Sequence, residues 1–286
     1  MSRSILREKI TNGEFIFAPG IQDMITAVVA NKVGFDVVYG TGYWLTASGY
    51  GLPDAGLVSY TQMLERVETL VKTSDAAVMA DADTGFGGLL NVHHTVKGYQ
   101  EAGVAAIQIE DQEFPKKCGH TPGRRVIPQV DMVEKIKVAV DARTDEDMLI
   151  IARTDALHAE GLEASIARCN AYRAAGADII FLEAMTNEEE MRRACEAIDA
   201  PMMANMANGG STPMFTVEQM QDIGFQLAIA PSLTSLAAAN AVEKALIAMK
   251  AQGSPEPEGV PINNFKEFCS LIGFEDVWAF EKKWAR

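Results

Sequence analysis

The sequence predicts an α/β fold, namely a (β/α)8 barrel of the TIM type followed by a C-terminal helical extension. Eight short apolar runs alternate with longer segments of helical periodicity. The runs are continuously apolar, which is typical of parallel strands buried on both faces. Near-identical helix–glycine–strand joints recur four times along the chain. Together these observations favour eight βα units closed into a barrel.

The apolar runs define the eight strands in chain order. They cover residues 15–19, 36–42, 76–83, 105–111, 148–156, 178–184, 201–206 and 226–232. A doubly wound open sheet is the rival architecture, but such a sheet rarely needs eight units. We therefore assign residues 1–250 to a barrel catalytic domain. Residues 251–286 would form a linker and an aromatic-rich helical extension, packed on the barrel or on a neighbouring subunit.

The predicted helices have start and stop signals where the strand assignment requires them. Capping boxes fit three starts, at Ser59 with Gln62, Thr186 with Glu189 and Thr216 with Gln219. Four stops are marked by glycines that precede a strand by one to three residues, namely Gly34, Gly103, Gly176 and Gly224. Left-handed backbone at these glycines would end each helix.

The composition limits the classes of partner. The chain has 286 residues, 48% of them hydrophobic, and a formal net charge of −14. The acidic excess argues against nucleic acid, because phosphate binding needs a basic surface. No uncharged apolar run reaches the roughly 18 residues of a membrane span, and the first residues lack an apolar signal core. The four cysteines form no C-x-x-C pair, so we expect a cytoplasmic protein with reduced thiols and a small-molecule substrate.

Polar side chains collect at the ends of the predicted strands, where the active sites of barrels lie. They are Tyr39, Thr41, Asp81, Asp83, Glu110, Arg153, Asp155, Glu183 and Asn205. Converging carboxylates would repel one another unless a cation joined them, and all-oxygen ligands suit Mg²⁺ or Mn²⁺. The alternative is structural, with the carboxylates capping helices or pairing with Arg153. His93 and His94 are adjacent on a helix and point in different directions, so we do not expect them to be ligands.

One cysteine lies in an unusual setting. Cys118 belongs to the polar tract "QEFPKKCGHTPGRR", whereas the other three cysteines lie in helical patterns typical of buried thiols. Neighbouring Lys116, Lys117 and His120 would favour its thiolate, which predicts a catalytic thiol rather than a bystander. No second motif supplies the base and acid of a nucleophilic triad. Residues 112–124 are too polar for the core and too long for a typical connection, so we predict a lid.

These motifs together resemble the isocitrate lyase/phosphoenolpyruvate mutase superfamily. The resemblance runs over most of the chain, through "APGIQD", "YGTG", "GLPD", "DADTGFG", "EAGVAAIQIEDQ", "ARTDA", "FLEA", "ANM" and "GGSTP". The loop "KKCGH" is specific to the carbon–carbon lyase branch of that family. The implied reaction is cleavage of the C2–C3 bond of a 2-hydroxy or 2-oxo dicarboxylate, giving a 2-oxo acid such as pyruvate and a carboxylic acid.

The resemblance also implies roles for individual residues. Asp81 would contact Mg²⁺ directly, and the residues implied to hold its water shell are Asp54, Asp83 and Glu110. The residues implied to bind the substrate are Thr41, Gly42, Tyr43, Gly119, Glu183, Asn205 and Asn208. Those implied in catalysis are Cys118, Tyr39, Arg153, Lys116 and His120. The last barrel helix would be swapped between subunits in a homotetramer, a dimer of helix-swapped dimers.

In the implied mechanism, bond cleavage leaves a carbanion beside a carboxylate. Tyr39 would accept the hydroxyl proton, and Arg153 with the metal would stabilise the negative oxygen at C2. Cys118 on the closing lid would then protonate the carbanion, and closure would keep water away. In the condensation direction Cys118 would be a thiolate base, assisted by Lys116 and Lys117.

The chain departs from the family pattern at three positions that border the pocket. Tyr43 and Trp44 replace glycines, and Asn208 replaces a glutamate. The two rings would shrink the pocket and favour small apolar C3 substituents, as in 2,3-dimethylmalate, over a tricarboxylate such as 2-methylisocitrate. The amide of Asn208 would favour an extra carboxylate, because a buried charge needs a donor. We weigh the bulk of the rings above this donor.

Three other functions are alternatives to carbon–carbon bond cleavage, namely a hydrolase, a Schiff-base aldolase and a non-enzymatic barrel. Oxaloacetate hydrolysis to oxalate and acetate would use the same metal and cysteine with an activated water. A Schiff-base aldolase is disfavoured, because no lysine ends a predicted strand. A non-enzymatic barrel, serving as a metabolite sensor or assembly partner, is disfavoured by the intact metal and thiol motifs.

Overall fold

A barrel of eight parallel strands forms the centre of the molecule and confirms the predicted fold class. The computed structural model describes residues 3–121 and 123–285. The strands are β1 (Ile16–Ile21), β2 (Val37–Gly40), β3 (Ala77–Asp81), β4 (Ala106–Glu110), β5 (Leu149–Thr154), β6 (Ile179–Leu182), β7 (Met203–Asn205) and β8 (Leu227–Ala230). Neighbouring strands pair in chain order from β1 to β6, and β8 pairs with both β1 and β7. The remaining gap is crossed by a parallel bridge from Ile180 to Met202, so the barrel is nearly closed.

Helices connect the strands and follow the last one. They are α1 (Ser4–Thr11), α2 (Met24–Val33), α3 (Gly42–Tyr50), α4 (Tyr60–Thr73), α5 (Leu89–Ala102), α6 (Gln129–Ala142), α7 (Leu157–Glu160), α8 (Leu162–Ala174), α9 (Glu188–Ala197), α10 (Val217–Ile223), α11 (Leu233–Gln252), α12 (Phe265–Leu271) and α13 (Phe274–Trp284). Pro122 of the predicted lid lies outside the described residues, as do residues 1, 2 and 286 of the predicted domains.

Two of the three predicted capping boxes are present, at the starts of α4 and α10. The third prediction, Thr186 with Glu189, is wrong by one residue. Asn187 caps α9 instead, because its backbone is extended and its side chain accepts from the N–H of Glu190 at 2.9 Å. The four predicted helix-ending glycines have positive φ, namely Gly34, Gly103, Gly176 and Gly224.

The hydrophobic core of the described residues consists of two clusters, and the one that includes Leu6 of α1 fills the barrel interior. Side chains such as Met79 and Phe181 fill the barrel interior, and Leu6 of α1 joins them. Arg3, next to α1, pairs at 2.7 Å with Asp145, which precedes β5. Helix α1 therefore lies at the end where the strands begin. The opposite end, where the strands finish, is left for a functional site.

The C-terminal helices form the predicted extension and expose much apolar surface. Helix α11 packs against β1, and α12 packs against α2 and α13. Helix α13 buries none of its residues, and Trp278 and Trp284 on it are 46% and 63% exposed. We call the exposed apolar side chains of α11–α13 the C-terminal apolar surface. None of the described helices combines the length and hydropathy needed to cross a bilayer.

Candidate active site

A cavity of about 290 Å³ opens at the ends of the strands. The predicted site residues that line it are Tyr39, Thr41, Tyr43, Asp54, Asp81, Lys116, Cys118, Gly119, His120, Arg153, Glu183, Asn205 and Asn208. The other three do not line the cavity but contact residues that do. Gly42 lies against Asp81, Asp83 pairs with Lys116, and Glu110 lies near Arg153. Most of the predicted set therefore comes together in one place.

Sequence reasoning missed part of the wall. The missed lining residues are Thr121, Ala207, Gly209, Gly210, Ile229, Pro231, Ser232 and Leu236. Most of them follow β7 or surround the start of α11. Their small or apolar side chains carry no chemical motif, and only their place after a strand could have indicated them.

Arg153, at the end of β5, is the central cation of the site. Its guanidinium donates to both carboxylate oxygens of Asp155, at 2.9 and 3.0 Å, and lies 3.4 Å from Glu110 and 3.5 Å from Glu183. Its planar group also lies 5.0 Å from the centre of the Phe181 ring. Burial opposes the charge of Arg153, but these carboxylates raise its pKa well above the usual value. The cavity thus contains a fixed positive charge.

Lys116 occupies the centre of the acidic cluster. Its ammonium lies 2.7 Å from Asp54 and 2.7 Å from Asp83, and the side chain is 3% exposed. Among the described residues, no three His, Cys, Asp or Glu side chains form a ready metal cage. Lys116 of the lid loop therefore supplies a positive charge between two of the predicted carboxylates, Asp54 and Asp83.

The remaining carboxylates nevertheless offer oxygen atoms that suit a hard cation. Asp81 lines the cavity and forms no ion pair within the described part of the chain. One of its oxygens accepts from the backbone N–H of Asp83 at 3.0 Å, and the other lies against Gly42, where a Cβ would come within 2.7 Å. Oε1 of Glu110 is buried without a hydrogen-bond partner among the described residues, and burial raises the pKa of Glu110 well above its usual value. This all-oxygen set fits Mg²⁺.

Cys118 lies on the lid loop and is half-buried. Burial raises the pKa of its thiol, although the N–H of His120 and the charge of Arg153 act the other way. Lys116 and His120 lower this pKa in the expected direction, but burial outweighs them, and the Lys116 ammonium is held by carboxylates. Cys118 lines the cavity, and its raised pKa favours the neutral thiol over the thiolate.

The loop after Cys118 is pressed closely onto the barrel. A Cβ on Gly119 would overlap the Arg153 guanidinium and come within 2.9 Å of Glu183 Cγ, so only glycine fits there. The backbone N–H of Thr121 donates to the C=O of Cys118 at 3.0 Å, which forms a tight turn. His120 Nε2 lies 3.3 Å from the Asn205 amide nitrogen, which also donates to Glu183 at 3.0 Å. The predicted lid is thus seated over the cavity.

The surroundings of Tyr39, Thr41 and Asn205 bear on the roles predicted for them. The Tyr39 hydroxyl donates to Gln108 at 2.8 Å, and burial raises the pKa of Tyr39 well above its usual value. A tyrosine in this state is a weak proton acceptor. Thr41 Oγ1 and Asn205 Oδ1 are buried without a hydrogen-bond partner in the described residues, so both are available to a ligand.

The three residues that depart from the family pattern, Tyr43, Trp44 and Asn208, line the cavity. The rings of Tyr43 and Trp44, at the start of α3, contact each other edge to face with centroids 4.7 Å apart. Both line the cavity, as does Asn208 in the segment after β7. Their positions agree with the expectation that these three residues border the pocket.

Comparison with known proteins gives a family and named relatives. The family described as phosphoenolpyruvate phosphomutase matches residues 6–250. The chain is 41% identical over 280 residues to 2,3-dimethylmalate lyase of Eubacterium barkeri, with 98% of this chain and 97% of that protein covered. It is also 41% identical over 268 residues to 2-methylisocitrate lyase of Halalkalibacterium halodurans, covering 94% and 88%.

Solved structures show the same similarity in three dimensions. A crystal structure of 2,3-dimethylmalate lyase, a PEP mutase/isocitrate lyase superfamily member, matches with a TM-score of 0.93 and 33% identity, covering 100% of this chain and 96% of that chain. Oxaloacetate acetylhydrolase in complex with 3,3-difluorooxalacetate matches with a TM-score of 0.92 and 31% identity, covering 99% and 97%. The similarity therefore spans the barrel and the C-terminal helices.

Proposed function

The chain belongs to the phosphoenolpyruvate mutase/isocitrate lyase superfamily. We propose that it is a Mg²⁺-dependent oxo-acid lyase that cleaves a substituted 2-hydroxy dicarboxylate between C2 and C3. The products would be a 2-oxo acid such as pyruvate and a second carboxylic acid. The observation that carries this proposal is the meeting of the Cys118 thiol and the Arg153 guanidinium in one cavity lined by amide and carboxylate groups.

Substrate binding would rest on groups that the fold leaves charged or unpaired. Arg153 faces the cavity with its charge intact and would pair with the oxygen at C2. The unpaired oxygen of Thr41 would take part in holding the carboxylate of the 2-oxo acid, and Asn205 with His120 would hold the other end. These contacts orient the bond to be broken.

Asp81 is the first choice for direct contact with Mg²⁺, because it is the cluster carboxylate that faces the cavity without an ion pair among the described residues. Asp54, Asp83 and Glu110 would hold the water around the ion. When bound, Mg²⁺ supplies a positive charge that stabilises negative charge on the substrate oxygen. The fit rests on the all-oxygen donor set and on the unpaired oxygen of Glu110.

Cys118 would deliver a proton from Sγ to the carbanion carbon. Its raised pKa keeps the thiol protonated at neutral pH, which is the state that a general acid requires. The seated loop would exclude water, so that the carbanion is protonated by the thiol. The proton of the C2 hydroxyl needs an acceptor as that oxygen becomes a carbonyl, and Tyr39 stays the proposed base. Because its hydroxyl donates to Gln108, Tyr39 would have to release its own proton to solvent before it accepts the substrate proton.

We infer the class of substrate from the aromatic residues that line the cavity. Tyr43 and Trp44 add aromatic bulk to the cavity lining, so we propose small apolar C3 substituents, as in 2,3-dimethylmalate, rather than the third carboxylate of 2-methylisocitrate. The test compares kcat/KM for 2,3-dimethylmalate, 2-methylisocitrate and isocitrate on one preparation with Mg²⁺. A preference of tenfold or more for either tricarboxylate, about 1.4 kcal/mol of discrimination, would contradict this assignment and make Asn208 the first residue to mutate.

A second candidate is the hydrolysis of oxaloacetate, supported by the similarity to oxaloacetate acetylhydrolase. The two reactions differ in their products. Incubation with oxaloacetate should release oxalate and acetate only if the chain is a hydrolase, whereas a lyase should release a 2-oxo acid from its 2-hydroxy dicarboxylate. Measuring both products in one panel decides between them.

The assembly state is also a proposal. The C-terminal apolar surface includes the exposed Ile247, Phe280 and Trp284, and exposed apolar area of this kind is typical of subunit contacts. We propose a homotetramer in which these helices are exchanged between subunits, in the cytoplasm. Light scattering on the purified protein should give four times the chain mass, and a monomeric mass would exclude the exchange.

A further inference from the structure

Gln112 lies directly beyond β4, at the start of the lid loop, and its side chain folds back onto the loop. The amide nitrogen donates to the backbone C=O of Lys117 at 2.8 Å, and the amide oxygen accepts from the backbone N–H of Lys117 at 3.0 Å. Gln112 is 2% exposed. A primary amide donates and accepts at the same time, so the Gln112 side chain pairs with Lys117 through two hydrogen bonds, as two opposite residues do in an antiparallel sheet.

The base of the loop is held in another way, by its backbone. The N–H of Glu113 donates to the C=O of Arg125 at 2.8 Å, and the N–H of Ile127 donates to the C=O of Asp111 at 2.9 Å. A single antiparallel bridge joins residue 112 to Val126. These bonds join the two ends of the loop but do not reach its middle, where Cys118 lies.

The middle of the loop is held by side chains. The Lys116 ammonium is held by Asp54 and Asp83, and the backbone of the next residue is held on both sides by Gln112. Residue 117 is the immediate neighbour of Cys118. A rotation of its peptide groups would therefore move the thiol directly.

We propose that Gln112 is a positioning residue, which fixes the backbone beside Cys118 so that the thiol faces the cavity. The proposal rests on the proposed function for its kinetic consequence, since proton delivery needs the donor within hydrogen-bond reach of the carbon. A displacement of about 1 Å can reduce a rate by about a hundredfold. Gln112 itself does not line the cavity, so it would act through the loop. Its side chain also contacts Asp155, the partner of Arg153, which further ties the loop to the barrel.

The experiment uses two substitutions of nearly the same size. Gln112→Glu keeps the acceptor but places a second acceptor against the C=O of Lys117, and Gln112→Met removes both hydrogen bonds. For both variants we expect kcat to fall about tenfold to a hundredfold and KM to change much less, because Thr41, Arg153 and Asn205 bind the substrate from the barrel and only His120 binds it from the loop. A role confined to stability would lower the melting temperature and leave kcat per folded molecule unchanged.

The matched control is Gln100→Glu. The Gln100 amide also works in both directions, donating to Thr144 Oγ1 at 2.8 Å and accepting from the Thr144 N–H at 2.8 Å. It lies near the start of β5, away from the cavity. This variant should retain the wild-type kcat, which shows that loss of a two-sided amide is not harmful in itself.

A second readout does not depend on turnover. The rate of Cys118 alkylation by iodoacetamide, followed by mass spectrometry of its peptide, should rise about tenfold in both Gln112 variants as the half-buried thiol is released. Unchanged alkylation together with unchanged kcat would overturn the proposal. If the wild-type protein turns over no dicarboxylate, the proposed function fails, and the alkylation rates alone then decide the role of Gln112.

Discussion

Arg153 and Lys116 are both buried cations at the mouth of the barrel, but they reach it by different routes. Arg153 ends a strand, and its strongest partner, Asp155, follows two residues later on the same segment. Lys116 lies on the irregular lid loop, and its partners Asp54 and Asp83 belong to two other segments. The hydrogen-bonded barrel fixes Arg153, whereas the position of Lys116 depends on the ion pairs that it makes.

This difference suggests a division of labour in the site. Burial disfavours the charge of both side chains, yet the surrounding carboxylates raise the pKa of each above its usual value. A buried ion pair that loses one partner is strongly destabilising, because the other charge is left uncompensated. In the strand region around Arg153, loss of a charged partner should alter the chemistry of the site without moving the backbone. On the loop side it should move the loop.

The largest expected effect is on the strand side. Asp81→Ala removes the carboxylate at the end of β3 and should reduce kcat by more than about 10³-fold, since metal charge stabilisation contributes several kcal/mol. Calorimetric titration should show weakened Mg²⁺ binding, while protease sensitivity of the loop stays as in the wild type. Full activity of an EDTA-treated wild-type enzyme would contradict the metal role.

The next effect concerns the chemistry carried by the loop. Cys118→Ser replaces the thiol by a far weaker acid of similar shape and should lower kcat by about 10²–10⁴-fold while retaining the fold and Mg²⁺ binding. The matched control is Cys195→Ser on α9, outside the cavity, which should retain wild-type turnover. A Cys118→Ser enzyme within a few-fold of the wild type would show that Cys118 is a bystander.

A direct test of the comparison is Lys116→Met. It leaves Asp54 and Asp83 facing each other without their cation, a loss that typically costs about 3–5 kcal/mol for a buried pair. Because the barrel does not depend on this contact, we expect the loop to open rather than the protein to unfold. Trypsin cleavage within residues 117–125 should accelerate while the melting temperature stays within a few degrees. Unchanged cleavage with a large drop in melting temperature would place Lys116 in the stability of the barrel instead.

The two regions also differ in how far the sequence predicts them. Strands buried on both faces leave continuous apolar runs, so β3 and β5 lie within the predicted ranges, and polar residues at their ends, such as Asp81 and Arg153, meet in one cavity. These predictions need only the alternation of strand and helix. The predicted start of α9 differs from the observed one by one residue, because Thr186 and Asn187 are both good caps and the local backbone conformation decides between them.

The loop could not be predicted to the same depth. Its polarity indicates a lid, but nothing in the sequence assigns the Lys116 ammonium to Asp54, which lies 62 positions earlier, rather than to the thiol beside it. The folding of Gln112 onto the backbone of Lys117 leaves no periodic signal either. Long-range pairings between side chains follow from the closed barrel, and sequence spacing does not encode them.

The smallest expected effect is a shift in the pH dependence of the thiol. Burial is the largest cause that raises the pKa of Cys118 above its usual 9.0, while the charge of Lys116 has a lesser, lowering effect. Alkylation requires the thiolate, so its rate should increase as pH rises through the raised pKa, and lyase activity, which requires the thiol, should fall over the same range. In Lys116→Met the two causes predict opposite shifts. If the loop opens, burial is lost and the midpoint of alkylation moves down toward the usual value. A midpoint that moves up instead would mean that the loop stays closed and that only the positive charge was lost. Lys116, like Arg153, would then not be needed to hold the backbone in place.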